Sequence, residues 1–231
     1  MPYRTVAVIS ILLAGFMFLM PASLRAGANE EAKIISAVAV MKELTAIPEN
    51  AIPPSLLDGA YGIAIFPDLL KAGFIGGVRY GSGIVMVHAP NRGWSDPVFF
   101  KLAGGSFGLQ IGAQSSDVIL VFNSARSLDY ISSGKFTLGV DASVAAGPVG
   151  RLAEAGTDLQ MRAEILSYSK SRGLFAGVAL EGAALYVDYD ATAAFYNKPG
   201  ILPADVFKGA APPAPPATEE LKSILQHYSG H

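Results

Sequence analysis

The stretch GIAIFPDLLKAGFIGGVRYGSG, residues 62–83, decides the fold class. Short apolar runs rich in Ile, Val, Phe and Tyr alternate with turn residues, a pattern typical of β-strands rather than helices. Glycine inside such a run relieves crowding at a bend or bulge and lets another backbone approach closely. The stretch therefore predicts strongly curved strands, as a small barrel or a tightly coiled sheet requires.

Similar runs continue along the chain and are separated by turn residues such as those at 91–93 and 132–134. Most of the runs alternate apolar and polar residues or are rich in β-branched and aromatic residues. We therefore predict an α+β fold: a predominantly antiparallel, strongly curved, glycine-rich β-sheet or small barrel, with an N-terminal amphipathic helix and short peripheral helices. The predicted strands are 61–66, 74–80, 83–88, 98–103, 106–113, 118–122, 136–145, 159–168 and 174–186.

The first 28 residues have the pattern of a secretory signal peptide. Arg4 precedes an apolar run at 6–20, and Ala26-Gly27-Ala28 places small residues before a cleavage site. The apolar run is shorter than the ~20 residues that span a bilayer, which disfavours an uncleaved anchor. We expect cleavage after Ala28 and a periplasmic or secreted mature protein.

Composition excludes several classes of protein. The chain has 17 Lys and Arg against 19 Asp and Glu, and loss of residues 1–28 removes Arg4 and Arg25 only, which leaves a net charge of −4. Nucleic acid is therefore not an expected partner. The chain has no cysteine, which excludes disulfides and thiolate metal sites.

The chain divides into four predicted segments: the signal peptide at 1–28, a folded domain at 29–198, a Pro/Ala-rich linker at 199–217 and a C-terminal helix and tail at 218–231. The folded domain begins with an amphipathic helix. Its charges are mixed, whereas helices that lie on anionic membranes are usually rich in Lys and Arg. Packing against the body of the protein therefore fits this helix better. Its apolar stripe consists of Ile34, Ala37, Val38, Met41 and Leu44.

Catalytic and cofactor motifs are weak. Residues 104–108 match G-x-S-x-G, but the elbow that exposes a nucleophilic serine needs a helix after it, and the strand pattern continues instead. The histidines at 88, 227 and 231 lack the close spacing of metal ligands. Neither G-x-G-x-x-G nor the P-loop pattern occurs. We predict a protein that is not an enzyme and binds no cofactor or metal.

Three long segments resemble the SYLF domain family, which is also described as the yeast actin-binding and Las17-binding domain and has many exported bacterial members. The resemblance covers about residues 34–197 and implies binding rather than catalysis. It points to phospholipids, including phosphoinositides in eukaryotes, and to actin filaments in the fungal branch. The segments are the stretch quoted above, DVILVFNSARSLDYISSGKFTLGVDASVAAGPVGR at 117–151 and AEILSYSKSRGLFAGVALEG at 163–182.

Four cations are candidate contacts to a lipid headgroup: Lys71, Arg79, Lys170 and Arg172. The first two belong to one glycine-rich hairpin, and the last two lie beside a predicted turn at 171–173. Convergent cations can hold a phosphate through charge-assisted hydrogen bonds, although isolated charges are more often simply solvated. We expect a phospholipid or an anionic membrane surface as the ligand, with apolar residues inserting near the bilayer surface.

Two other hypotheses stay open. An outer-membrane barrel would fit the signal peptide and the glycine content, but most predicted strands are shorter than the ~9–11 residues that cross a membrane. A protein-interaction module would use the curved sheet, or the APPAPPA segment at 211–217, to bind a protein partner. In that case the prolines serve either as the ligand or as a spacer.

Overall fold

The computed structural model describes residues 22–46, 52–73, 76–89, 92–107, 112–149, 162–171 and 174–228. Within these ranges one curved sheet contains ten strands in the order β6-β10-β4-β2-β1-β5-β8-β7, with β3 beside β2 and β9 beside β8. Every pair runs antiparallel except β7 with β8. The strands are β1 Gly62–Gly73, β2 Gly76–Ala89, β3 Gly93–Trp94, β4 Val98–Phe107, β5 Gly112–Phe122, β6 Lys135–Thr137, β7 Val144–Ala146, β8 Ile165–Ser171, β9 Leu174–Gly177 and β10 Ala184–Val187.

Helices precede, interrupt and follow the sheet. The predicted fold class is confirmed: the sheet is a mostly antiparallel, strongly curved half-barrel accompanied by several helices. None of the helices in the described ranges combines the length and the apolarity that membrane crossing requires. The helices are α1 Ala22–Ala46, α2 Pro54–Asp58, α3 Arg126–Ser133, α4 Tyr189–Phe195, α5 Pro203–Phe207 and α6 Pro216–Tyr228.

A bulge in the central strand β1 produces much of the local bend. The register of β1 against both β2 and β5 shifts around Pro67 and Asp68, and Asp68 has a φ of 52°. Proline cannot donate to a ladder and is tolerated inside a sheet only at such irregular positions. Opposite the bulge, a Cβ on Gly83 would lie 2.8 Å from the Phe66 Cα. Because glycine leaves that space free, β2 continues through Gly83 where the sequence predicts two separate strands.

The two faces of the sheet bury separate apolar clusters. The face that we call the α1 face packs against α1 and α6 through residues such as Ile63, Ile84 and Ile119. The opposite face buries a second cluster, which includes Phe66 and Phe100 of the strands and Ile131 of α3. Each fully buried aliphatic side chain contributes roughly 1.5–3 kcal/mol, so both clusters stabilise the curvature of the sheet.

Helix α1 is docked on the body of the protein. It contacts α6, α4, β1 and β2, and Ile34, Met41 and Leu44 in its predicted apolar stripe are fully buried. The described part of the helix, Ala22–Ala46, passes through the predicted cleavage site at Ala28 without interruption. Residues 1–21, which contain the apolar run of the predicted signal peptide, lie outside the described residues.

The proline- and alanine-rich segment at 199–217, predicted as a linker, contributes residues to the core. Ile201 and Val206 are buried in the cluster of the opposite face. Two of the prolines begin helices, Pro203 in α5 and Pro216 in α6, where the missing N–H costs nothing. A sequence pattern that resembles a spacer therefore forms part of the fold, because its apolar residues reach the core.

Candidate functional site

Two of the four predicted cations lie directly opposite each other in the sheet. Lys71 of β1 pairs with Arg79 of β2 and, on its other side, with Gln114 of β5. Residues in register across neighbouring strands project from the same face of a sheet. Lys71, Arg79 and Gln114 therefore form a polar row across three strands.

This row lines a cavity of about 160 Å³. The floor is apolar and includes Leu69, Val118 and Leu180, all of them buried. No carboxylate is among the lining residues that the structure describes. The polar lining consists of Lys71, Arg79, Gln114, Ser115, Ser116 and Ser169.

Arg79 is held in place but is not fully hydrogen-bonded. Its Nη1 donates to the carbonyl oxygen of Ala179 at 2.9 Å, which fixes the direction of the guanidinium group. Its Nε is buried and has no partner within the described part of the chain. Burial lowers the pKa of Arg79, and the charge of Glu181 opposes that shift. The guanidinium stays protonated because arginine titrates far above neutral pH.

The other polar groups of the cavity are mostly available to a ligand. Over the described ranges, the structure gives no side-chain hydrogen bond or ion pair to Lys71, Gln114, Ser116 or Ser169. Ser115 Oγ donates to Asp68 Oδ1 at 3.2 Å. The cavity thus presents ammonium, guanidinium, amide and hydroxyl donors around an apolar floor, and an anion is the ligand that such a donor set can bind.

Lys170 points away from this cavity. Its side chain is 12% exposed and forms an ion pair with Glu43 of α1 and another, at 3.6 Å, with Asp117 of β5. Side chains alternate between faces along a strand, so Ser169 lines the cavity while Lys170 lies on the α1 face. The structure therefore brings Lys71 and Arg79 together and uses Lys170 to attach α1 to the sheet. Arg172 lies outside the described residues.

Sequence reasoning did not identify the hydroxyl and amide lining of the cavity. Gln114, Ser115 and Ser116 stand immediately before the apolar core run of β5. A polar triplet that continues a buried strand could have signalled that the strand extends past the core into a polar region. Ser169 carries no comparable signal, because its position follows from the pairing of β8 with β5.

A second feature is an exposed apolar row on the α1 face. Leu70 pairs with Tyr80, and Ala72 pairs with Val78. Leu70, Tyr80 and Val78 are 48%, 49% and 65% exposed, although residues further along the same strands are buried by the helices. Several neighbouring exposed apolar side chains form the kind of surface that proteins use to bind partners.

The weak catalytic motif does not form a nucleophile elbow within the described residues. Gly104, Gly105 and Ser106 belong to β4, and Ser106 pairs with Gly77. His88 stacks on Trp94 with ring centroids 4.9 Å apart. Over the ranges that the structure describes, no three potential ligands among His, Asp and Glu are grouped to hold a metal ion.

Comparison with known proteins supplies a family relationship. Residues 103–228 match the family model described as "Ysc84: Las17-binding protein actin regulator". The chain is 36% identical over 216 residues to SH3 domain-containing YSC84-like protein 1 of Homo sapiens, with 91% of this chain and 60% of the relative covered. The protein of the same name from Rattus norvegicus is 35% identical over 216 residues, with 91% and 61% covered.

A yeast protein gives a similar result. LAS seventeen-binding protein 3 of Saccharomyces cerevisiae is 34% identical over 210 residues, which cover 90% of this chain and 45% of the relative. The matched region therefore spans between about half and three fifths of the length of these relatives.

Proposed function

Because the chain belongs to the Ysc84 family of Las17-binding actin regulators, the SYLF family named above, we propose that it is a protein-interaction module whose partner is a Las17-type protein. The observation that carries this proposal is the family match over residues 103–228, together with a relative whose name describes Las17 binding. In this proposal the chain acts by binding and catalyses no reaction.

The exposed apolar row is the surface that we assign to this interaction. It contains a tyrosine flanked by aliphatic side chains, and tyrosine is enriched among the residues that dominate binding at protein interfaces. Leu70, Val78 and Tyr80 lie on two adjacent strands, so the sheet holds them in fixed relative positions. A rigid surface loses little conformational entropy when a partner binds.

The test is direct binding of purified Las17 to residues 29–231, measured by calorimetry, with actin filaments in a parallel co-sedimentation arm. Tyr80→Ala should weaken binding about tenfold or more, as expected for a central interface tyrosine. Tyr189→Ala is the matched control, since Tyr189 is 52% exposed at a different site. Failure of the folded protein to bind Las17 would overturn the proposal, whether or not it binds actin. Binding unchanged by Tyr80→Ala would exclude this surface.

A second candidate function is binding to an anionic phospholipid surface. Lys71 and Arg79 favour it, because they lie side by side at a cavity without a lining carboxylate. We propose that these cations contact headgroups while nearby apolar residues approach the bilayer. Attraction between exposed charges and a membrane is screened by salt, so binding should weaken as salt is raised.

Vesicle co-sedimentation tests this second candidate. Residues 29–231 should sediment with phosphatidylglycerol vesicles more than with phosphatidylcholine vesicles at low salt. The variant Lys71→Glu/Arg79→Glu should lose the difference. The control Lys135→Glu/Lys198→Glu has the same change in net charge at two exposed positions and should retain it. Equal, negligible binding of the wild type to both vesicles would exclude the function.

We also propose that the protein is exported and that its mature form begins at Asn29. The fully buried residues Ile34, Met41 and Leu44 of the α1 stripe lie beyond the predicted cleavage site. Loss of residues 1–28 removes Gly27, which lies close to Ala194 of α4, but retains these core contacts. N-terminal sequencing of the protein from fractionated cells tests the proposal. An intact N-terminus in the cytosolic fraction would contradict it.

A further inference from the structure

We infer that the cavity between Lys71 and Arg79 is a discrete site for one phosphate group with two ionised oxygens, either inorganic phosphate or a phosphate monoester. The inference deepens the second proposed function and rests on it, because Lys71 and Arg79 are the binding residues in both. It adds the chemical class of the ligand and a defined position for it, and it predicts binding even when no membrane is present.

The charges of the cavity are arranged for an anion. Like charges directly opposite each other on neighbouring strands repel, and Lys71 faces Arg79 in this way. Glu181 offsets part of the charge of Arg79 from outside the lining, but within the described ranges neither Lys71 nor Arg79 forms an ion pair with a carboxylate. An anion placed between the two cations would remove their repulsion.

The donors of the cavity fit a tetrahedral anion better than a planar one. They come from four strands, with Arg79 on β2, Lys71 on β1, Gln114 and Ser116 on β5, and Ser169 on β8. A carboxylate offers two oxygens in one plane, whereas a doubly ionised phosphate offers three or four oxygens in several directions, all of them acceptors. The Nε of Arg79, which has no partner among the described residues, is a donor that such an oxygen can use.

The position of Arg79 is set before any ligand arrives. Because Nη1 donates to the carbonyl oxygen of Ala179 at 2.9 Å, the guanidinium group is oriented while its Nε has no partner in the part of the chain that the structure describes. A group that is already oriented loses less entropy on binding than a mobile one. The apolar floor of Leu69, Val118 and Leu180 lowers the local dielectric constant, which strengthens each charge-assisted hydrogen bond.

The size and the opening of the cavity suit a phosphate that is attached to a larger carrier. A volume of about 160 Å³ admits a phosphate group. Gln114 and Ser115 at the cavity are exposed, so the remainder of the ligand can project into solvent. The phosphate could thus belong to a lipid headgroup or to a soluble compound, and the two sources share the same chemistry at this site.

The first arm of the test uses inorganic phosphate with residues 29–231. Calorimetry and amide chemical shifts are recorded against chloride at equal ionic strength. We expect saturable binding that weakens at least tenfold in Lys71→Met and stays unchanged in Lys135→Met, which has the same charge change at an exposed position. Lys71 has no side-chain partner over the described ranges, so its thermal midpoint should be close to that of the wild type. Absence of saturable binding, or equal binding by Lys71→Met, would overturn the inference.

The second arm identifies the source of the phosphate. Vesicles with phosphatidic acid, a monoester, are compared with phosphatidylglycerol vesicles, a diester, at matched surface charge. If the protein prefers phosphatidic acid and inorganic phosphate abolishes that preference, the site exists and its ligand is a lipid. If the protein binds phosphate but no vesicles, the site exists, its ligand is a soluble phosphate, and the membrane function is excluded. Vesicle binding without phosphate binding would retain the membrane function and overturn the discrete site.

Discussion

Replacing Leu221 by alanine tests whether helix α6 belongs to the folded body. Leu221 is fully buried in the cluster of the α1 face, and α6 contacts α1. A buried Leu→Ala change removes the transfer free energy of the side chain and leaves a cavity, at a cost of about 2–5 kcal/mol. We therefore expect the free energy of unfolding to fall by about 3 kcal/mol.

The assay is thermal unfolding followed by circular dichroism, with urea unfolding to supply the free energy. For a domain of this length, 1 kcal/mol corresponds to roughly 2–4 °C, so the midpoint should fall by roughly 6–12 °C. Ser223→Ala is the matched control, because Ser223 lies on the exposed side of the same helix and surface changes stay within about 0.5 kcal/mol.

A Leu221→Ala midpoint within about 1 °C of the Ser223→Ala midpoint would refute the reasoning. The result would mean that α6 contributes nothing to folding and that the segment before it behaves as a free spacer. The expected loss would instead show that the C-terminal helix must be kept in any variant designed to test binding.

Three further predictions concern packing, charge and pH. Gly83→Ala should lower the free energy of unfolding in urea by about 1–3 kcal/mol, because the added Cβ would meet the backbone of β1. Gly105→Ala is the control and should change that free energy little, because nothing lies within 4 Å of its added Cβ. Lys170→Met should cost about 1–3 kcal/mol, because it removes a mostly buried ammonium from its ion pairs with partly buried Asp117 and with Glu43. Lys42→Met, at an exposed ion pair, should cost about 0–1 kcal/mol, and equal effects of the two changes in urea unfolding would contradict this reasoning. Burial raises the pKa of Tyr228 to about 12. The contribution of the neutral phenol to stability is therefore complete below pH ~10 and should be lost as the pH rises towards 12. Thermal melting at several pH values should show this fall in the wild type and a smaller fall in Tyr228→Phe.

The curvature of the sheet could be predicted because each bend depends on residues that are close together in the sequence. Glycines among β-branched and aromatic residues predict bends wherever they occur, and Gly83 shows the reason: a neighbouring backbone takes the space of the missing side chain. The continuation of β1 beyond Pro67 could not be predicted in the same way. Proline normally ends a strand, and only the pairing of β1 with β2 and β5 shows that a bulge absorbs it.

The site was predictable where a single hairpin creates it. Lys71 and Arg79 flank one turn, so the hairpin alone brings them together. The direction of Lys170 depends on longer-range order, since the pairing of β8 with β5 decides which face each of its side chains takes. The acidic partner on α1, Glu43, is 127 residues away in sequence. Spacing along the chain contains no information about a contact of that kind.

The order of the strands has a consequence for self-association. A half-barrel leaves two edges whose backbone groups are unpaired, and long flat edges of this kind nucleate aggregates and fibrils. In the described ranges the sheet order ends at β6 and β7, which are 3 residues each, and the 4-residue β9 also pairs with β8 at the β7 edge. Such short edges offer little template for another chain, so the fold can keep an open sheet without recruiting copies of itself strand by strand.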